Sequence, residues 1–206
     1  MRLFTAITLP DFVRKELAVI QPRHPNIHLT PESQMHLTLR FIGDADKPKT
    51  RRVIQALSHV SFPPFDLEIA GTGIFPRPRD PVILWAGVRY HPVLTELYDF
   101  LQEELYRAGV PSENRSYHPH VTLGRIRIPP LLRNSSVQGN SSYQDTDNEV
   151  DRSENTRVLD DIMQEFLHGE PSRFYTTFRV EAFHLYHSRL HSGGAIHHCL
   201  QGYAAS

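Results

Sequence analysis

The chain has 206 residues, 39% of them hydrophobic, with 22 basic and 23 acidic side chains. That length supports one substantial domain or two small lobes. The charge balance reads as an ordinary globular protein and excludes a whole-molecule nucleic-acid footprint, though not a local basic cleft.

The single cysteine, Cys199, excludes an intramolecular disulfide and a Cys-rich metal site, and is expected in the core as a small apolar group. No apolar run is long enough to span a bilayer. The opening "MRLFTAITLP" lacks the long apolar core of a signal peptide, so it reads as a first strand and the protein as cytoplasmic. A monomer is the default expectation.

In chain order, "LFTAITL" suits a buried strand. Pro10 and Asp11 open a helix to about Ile20, with Val13, Leu17 and Ile20 on one face. "MHLTLRFIG" is the next strand, stopped by Gly43. "KTRRVIQALSHV" is a helix with Val53, Ala56, Leu57 and Val60 as its stripe. "FDLEIAGTGIF" alternates as a strand, "FPRPRDP" is a turn-rich basic connection, and "VILWAGV" is apolar on both sides, so central. "VLTELYDFLQEELYRAG" is a helix striped by Leu94, Leu97, Leu101 and Leu105, with Gly109 at its end.

After "HVTLGRIRI" the composition turns polar. The stretch from about 133 to 156 cannot bury enough surface to offset its ordering entropy and is expected to be a mobile insertion loop. "RVLDDIMQEFLHG" is a helix with Leu159, Ile162, Met163 and Phe166 inward. "FRVEAFHLYHSRL" and "AIHHCLQGY" close the chain as strands. The fold class expected is α+β: one bilobal domain over 1–206, with two pseudo-repeated antiparallel sheets facing a central groove and helices outside.

Two phrases carry chemistry, "HLTLRF" from His36 and "HVTLGR" from His120. Residues i and i+2 of a strand share a face. His36 with Thr38, and His120 with Thr122, therefore face one side, while Leu37, Leu39, Val121 and Leu123 enter the core. Imidazole titrates near neutrality, so one neutral and one protonated ring can work as base and acid without a metal. Two threonine hydroxyls beside them suit the non-bridging oxygens of a phosphate undergoing in-line displacement. Spacing alone does not say which ring is the acid.

Arg40 faces the same groove if its strand stays regular; Arg125 reaches it only if Gly124 carries a bulge. Arg77 and Arg79 sit in the basic connection, within reach of a phosphate backbone. Tyr186 is a candidate for stacking on a base, and Ser188 for lining the groove, while Phe41 and Trp85 are expected to pack in the core.

The paired H-L-T-L and H-V-T-L phrases resemble the two signatures of the 2H phosphoesterases. "FPRPRDPVILWAGV" and the closing "LYHSRLHSGGAIH" resemble one branch, the RNA 2′,3′-cyclic phosphodiesterases, or 2′-5′ RNA ligase-like proteins. The resemblance covers most of residues 1–130 and 157–203. It implies a bilobal α+β fold and hydrolysis of a 2′,3′-cyclic phosphate at an RNA end to a 2′-phosphate, with joining of 2′-5′ linkages as a related activity. By matching position it makes His36 the proton donor and His120 the proton acceptor. Thr38 and Thr122 fall on the threonines that hold the phosphate; Arg40 and Arg125 are assigned to substrate on their place in the strands and not on the resemblance. No cofactor and no metal is implied; the partner is RNA carrying a cyclic phosphate, with no membrane involved. Two features depart from the pattern: the polar stretch near 133–156, and "IHH" in the last strand where an aromatic is common.

Two rival readings have distinct signatures. A metal enzyme would use His118 with His120, or His197 with His198, but few carboxylates accompany them. A non-catalytic module would bind the phosphorylated end without turnover.

Overall fold

The computed structural model describes residues 1–75, 82–113, 116–126, 157–166, 168, 173–191 and 194–206. The connection bearing Arg77 and Arg79, and the polar stretch 133–156, lie outside the described residues.

Alternation of apolar and polar residues generates the strands, and the elements follow in this order. Strand β1 is Arg2–Thr8, helix α1 Asp11–Val19, β2 Ile27–Leu29, and β3 His36–Asp44, with a single 3-10 turn at Glu32–Gln34 before β3. Helix α2 is Lys47–Leu57, β4 Phe65–Phe75, β5 Val82–Val88, helix α3 Pro92–Arg107 and β6 His120–Ile126. Helix α4 covers 157–166; β7 Phe174–Val180, β8 Ala182–His191 and β9 Gly194–Ala204 complete the described elements. Asp46 caps α2 by accepting a bond from the Lys49 amide, with Pro48 in the first turn, where its missing N–H costs nothing. Gly109, at φ +84°, ends the α3 region in the left-handed conformation.

The strands pair antiparallel in the order β7-β4-β5-β6-β3-β1-β8-β9, with β2 added to β6. This is one sheet in two four-stranded halves. The halves meet between β3 and β6 at a single registered pair, Leu37 opposite Val121. Beyond it β3 diverges, and β2 takes its place along β6, Ile27 to Leu29 opposite Ile126 to Gly124. The helices cover one face. Val13 and Leu17 of α1, Val53 and Leu57 of α2, and Leu94, Leu97, Leu101 and Leu105 of α3 join Leu37, Leu39, Val121 and Leu123 in one core, with Leu159 and Phe166 of α4.

Several expectations change in detail. "FRVEAFHLYHSRL" is two strands separated at Glu181: β7 pairs with β4 in one half and β8 with β1 in the other. One half, β4 to β7, is a consecutive stretch of chain; the other takes β1 and β3 from before it and β8 and β9 from after it, because α2 leads from β3 across to β4 and β7 leads back to β8. Cys199 is exposed rather than in the core, since β9 is the outermost strand of its half. Trp85 is only half-buried, on the face opposite the helices.

The Trp85 ring lies across Gly73 of β4, where any Cβ would overlap it. Gly73→Val should therefore destabilise the fold by about 1–3 kcal/mol, as other insertions into filled space do. Urea unfolding would measure the loss, and the emission of this sole tryptophan should shift red as the ring is pushed toward water.

Candidate active site

The face opposite the helices carries the two phrases. In the β1–β3 register Ala6 faces Thr38 and Thr5 faces Arg40, so Leu39 has no partner. In the β5–β6 register Trp85 faces Thr122 and Leu84 faces Gly124, so Leu123 has none. Each strand bulges at the leucine after its threonine, and a bulge reverses the alternation that follows it. The outcome is the same in both. From the histidine onward, each strand runs half-buried, buried, half-buried, buried, buried, exposed, buried.

The Leu37–Val121 pair sits between the two motifs. In its antiparallel register His36 and Thr122 flank it on one side, and Thr38 and His120 on the other. Two rings and two hydroxyls thus surround one point as a chequered square.

Both rings are held in the same way. His36 Nδ1 lies 2.7 Å from the carbonyl of Gln34, and His120 Nδ1 lies 2.7 Å from the carbonyl of His118. A carbonyl only accepts, so each Nδ1 carries the donated hydrogen. This fixes the tautomer and leaves Nε2 as the nitrogen that takes up and releases a proton.

Aromatic groups wall each ring. His36 packs against Phe4 at 5.1 Å between centroids, with His197 edge-on at 5.2 Å. Phe4 stacks in turn on Tyr186, whose hydroxyl is 2.5 Å from Thr8 Oγ1. His120 meets Phe75 edge-to-face at 4.8 Å, and Trp85 at 6.4 Å. Burial among these groups disfavours the charged imidazolium. It lowers His36 to about 4, with His197, His120 and Arg125 adding repulsion and the Gln34 carbonyl opposing it. His120 is also lowered, chiefly by burial. Burial thus favours the neutral form of both rings.

The bulges decide the arginines. Arg125 returns to the exposed side, and its positive charge disfavours protonation of both His36 and His197. Arg40 goes the other way. It is 3% exposed, and its guanidinium donates to the Phe41 carbonyl at 3.0 Å and to the Pro111 carbonyl, and pairs with Glu113 at 2.5 Å. The expectation that Arg40 faces the groove assumed a regular strand, and the bulge at Leu39 removes that condition. The same reversal brings out Phe41, which is 60% exposed beside Phe4 rather than in the core.

Sequence reading passed over Phe4, Phe75 and His197 as neighbours of the two rings. Alternation within β1 and β4 marks the side that Phe4 and Phe75 take, but only the sheet order brings them to the histidines. His197 arrives on β9, two strands away from β1, with no local signal. Among the described residues no three His, Cys, Asp or Glu side chains gather as a metal site, and no helix is long and apolar enough to cross a membrane.

Comparison with known proteins agrees with this geometry. Residues 7–85 match the family model described as LigT like Phosphoesterase. An RNA 2′,3′-cyclic phosphodiesterase of Archaeoglobus fulgidus is 32% identical over 131 residues, covering 62% of this chain and 73% of that one. The Escherichia coli protein of the same name is 31% identical over 142 residues, covering 63% and 77%. Among solved structures, TT0787 of Thermus thermophilus superposes with a TM-score of 0.72 at 22% identity, covering 99% of this chain and 97% of its own. E. coli LigT in complex with 3′-AMP gives 0.70 at 23%, covering 100% and 98%. The fold, the paired histidine strands and the relatives' identity together place the chain in the LigT-like phosphoesterase family of the 2H superfamily, the family of the RNA 2′,3′-cyclic phosphodiesterases.

Proposed function

We propose that this chain opens 2′,3′-cyclic phosphates at RNA ends to 2′-phosphates, with His36 as general acid and His120 as general base and no metal ion. The observation that carries the reading is the matched tethering of both rings at Nδ1, which commits each Nε2 to proton transfer at the face that also bears Thr38 and Thr122.

In this mechanism the cyclic phosphate lies over the Leu37–Val121 junction. Thr38, Thr122 and Arg125 donate to its non-bridging oxygens. His120 Nε2 removes a proton from water as the water oxygen bonds to phosphorus. The bond from phosphorus to the 3′ oxygen breaks, and His36 Nε2 delivers a proton to that oxygen. One proton is taken and one is given, so the rings exchange charge states over the cycle. A 5′-hydroxyl in place of water would yield a 2′-5′ linkage by the same transfers. Phe41 and Tyr186 offer ring faces to the terminal base.

The acid must be protonated, yet burial depresses His36 to about 4. A bound phosphate anion opposes this, because a negative charge beside an imidazole favours its charged form. Substrate thus charges its own acid.

The deciding assay uses purified protein and a short RNA ending in a 2′,3′-cyclic phosphate, with EDTA present. A 2′-phosphate product is expected. Binding without turnover would reduce the site to an end-binding module, and activity lost to EDTA and restored by zinc would overturn the metal-free mechanism. His36→Ala and His120→Ala should each abolish nearly all turnover while remaining folded. Thr38→Ala or Thr122→Ala should cost on the order of 10–100-fold in kcat, as for loss of a donor to developing charge. Phe41→Ala should raise KM several-fold, roughly the loss of one stacking contact, with kcat little changed.

Both ring pKa values are lowered, so the bell-shaped profile of kcat/KM, which reports the free enzyme, should centre below pH 6.5. The kcat profile should lie at higher pH, because bound substrate raises the rings. Stability follows the same shift. Unfolded His36 takes a proton near 6.5 and folded His36 near 4, so the stability present above pH 6.5 is lost as pH falls toward 4. The loss from this ring approaches roughly 3 kcal/mol. Urea unfolding of His36→Gln across that window should show a flatter pH dependence than the parent.

A further inference from the structure

Strands β3 and β6 register at one pair only, and β2 ties to β6 at Gly124 to Ile126, away from His120. A further connection runs beside the two histidines. After α3, the segment 110–113 and 116–119 leads to β6 along β3, and β3 grips it at three points. Arg40 donates to the Pro111 carbonyl and pairs with Glu113, and the Tyr117 hydroxyl donates to the Thr38 carbonyl at 3.2 Å. Tyr117 is further clamped by Tyr98 of α3, ring on ring at 4.0 Å and 3°. The residue after Tyr117 is His118, whose carbonyl tethers His120 Nδ1.

We propose that Arg40 and Tyr117 are positioning residues, which fix His120 relative to His36 across the junction, and that neither touches substrate. The inference rests on the assignment of these two histidines as the acid–base pair. The connection runs through bonds of known partners. One end is the carbonyl of Thr38, two residues from His36. The other is the carbonyl of His118, two residues from His120. Arg40 suits the task because its planar fork reaches two acceptors at once, which a lysine ammonium does with less geometric control. Its near-complete burial excludes the groove as a destination. A misplacement of about 1 Å between reacting groups is enough to cost on the order of a hundredfold in rate.

The test compares Tyr117→Phe, Arg40→Met and Arg40→Lys with the parent enzyme on 2′,3′-cyclic nucleotide, alongside inorganic phosphate binding and thermal unfolding. Tyr117→Phe keeps the stack on Tyr98 and removes one hydroxyl. It is expected to lower kcat by about tenfold or more, with KM and phosphate affinity within about threefold, the pattern of a group felt only in the transition state. Arg40→Met should behave alike, and Arg40→Lys should recover part of the rate. Unchanged kcat in folded Tyr117→Phe would overturn the proposal. So would an Arg40→Met enzyme that keeps kcat but binds phosphate tenfold more weakly, which would return Arg40 to the phosphate. If Arg40→Met does not fold, Tyr117→Phe decides. If the parent itself shows no turnover, the acid–base reading fails first. The tether is then read from imidazole NMR: His120 resonances displaced in Tyr117→Phe support it, and a His120 spectrum identical to the parent's refutes it.

Discussion

The arrangement depends on one narrow contact. Leu37 and Val121 form the single registered pair between two half-sheets, and the four polar groups of the site are the immediate neighbours of that pair. Strands that share one point keep the four polar groups together on one face while their apolar side chains stay packed on the other. The core behind the junction, Leu37, Leu39, Val121 and Leu123, is almost fully buried, so the contact is short in hydrogen bonds but not in packing.

The pseudo-symmetry about this point is one of backbone, not of side chains. Both strands share the bulge and the order of burial, yet the bulged-in position holds Arg40 in one and Gly124 in the other. The position that emerges after it holds Phe41 in one and Arg125 in the other. Gly124 has β2 alongside it, where an added Cβ would press on Ile27 and the His28 carbonyl. Arg40 has the α3–β6 segment instead, and fills its space with a buried cation. One backbone pattern thus gives the groove an aromatic face on one side and a cation on the other.

The sequence made the histidines and threonines legible because a period of two is a local property, complete within three residues. It made the main helices legible for the same reason, through leucine spacing. Arg40, Phe41 and Arg125 were legible only conditionally: the bulges at Leu39 and Leu123 are set by pairing with β1 and β5, and nothing in "TLRF" or "TLGR" announces the register of a distant strand. The break at Glu181 was hidden for a related reason. A glutamate between two alternating runs looks like a continuing strand, and only the exchange of β7 and β8 between halves reveals the boundary. Cys199 was misplaced because edge position belongs to the sheet order and not to composition.

The main-chain tethers at His36 and His120 have a consequence for how this site tolerates drift. Each ring is oriented by a carbonyl oxygen, an atom every amino acid supplies, and the two residues that provide it, Gln34 and His118, share no side-chain chemistry. Orientation of the two imidazoles is thereby uncoupled from the identity of the residues that orient them. Substitution of the side chains just before each histidine leaves the tautomer in place as long as the backbone path is kept. The site's memory is held in the shape of the chain, which is why so short a phrase can mark it.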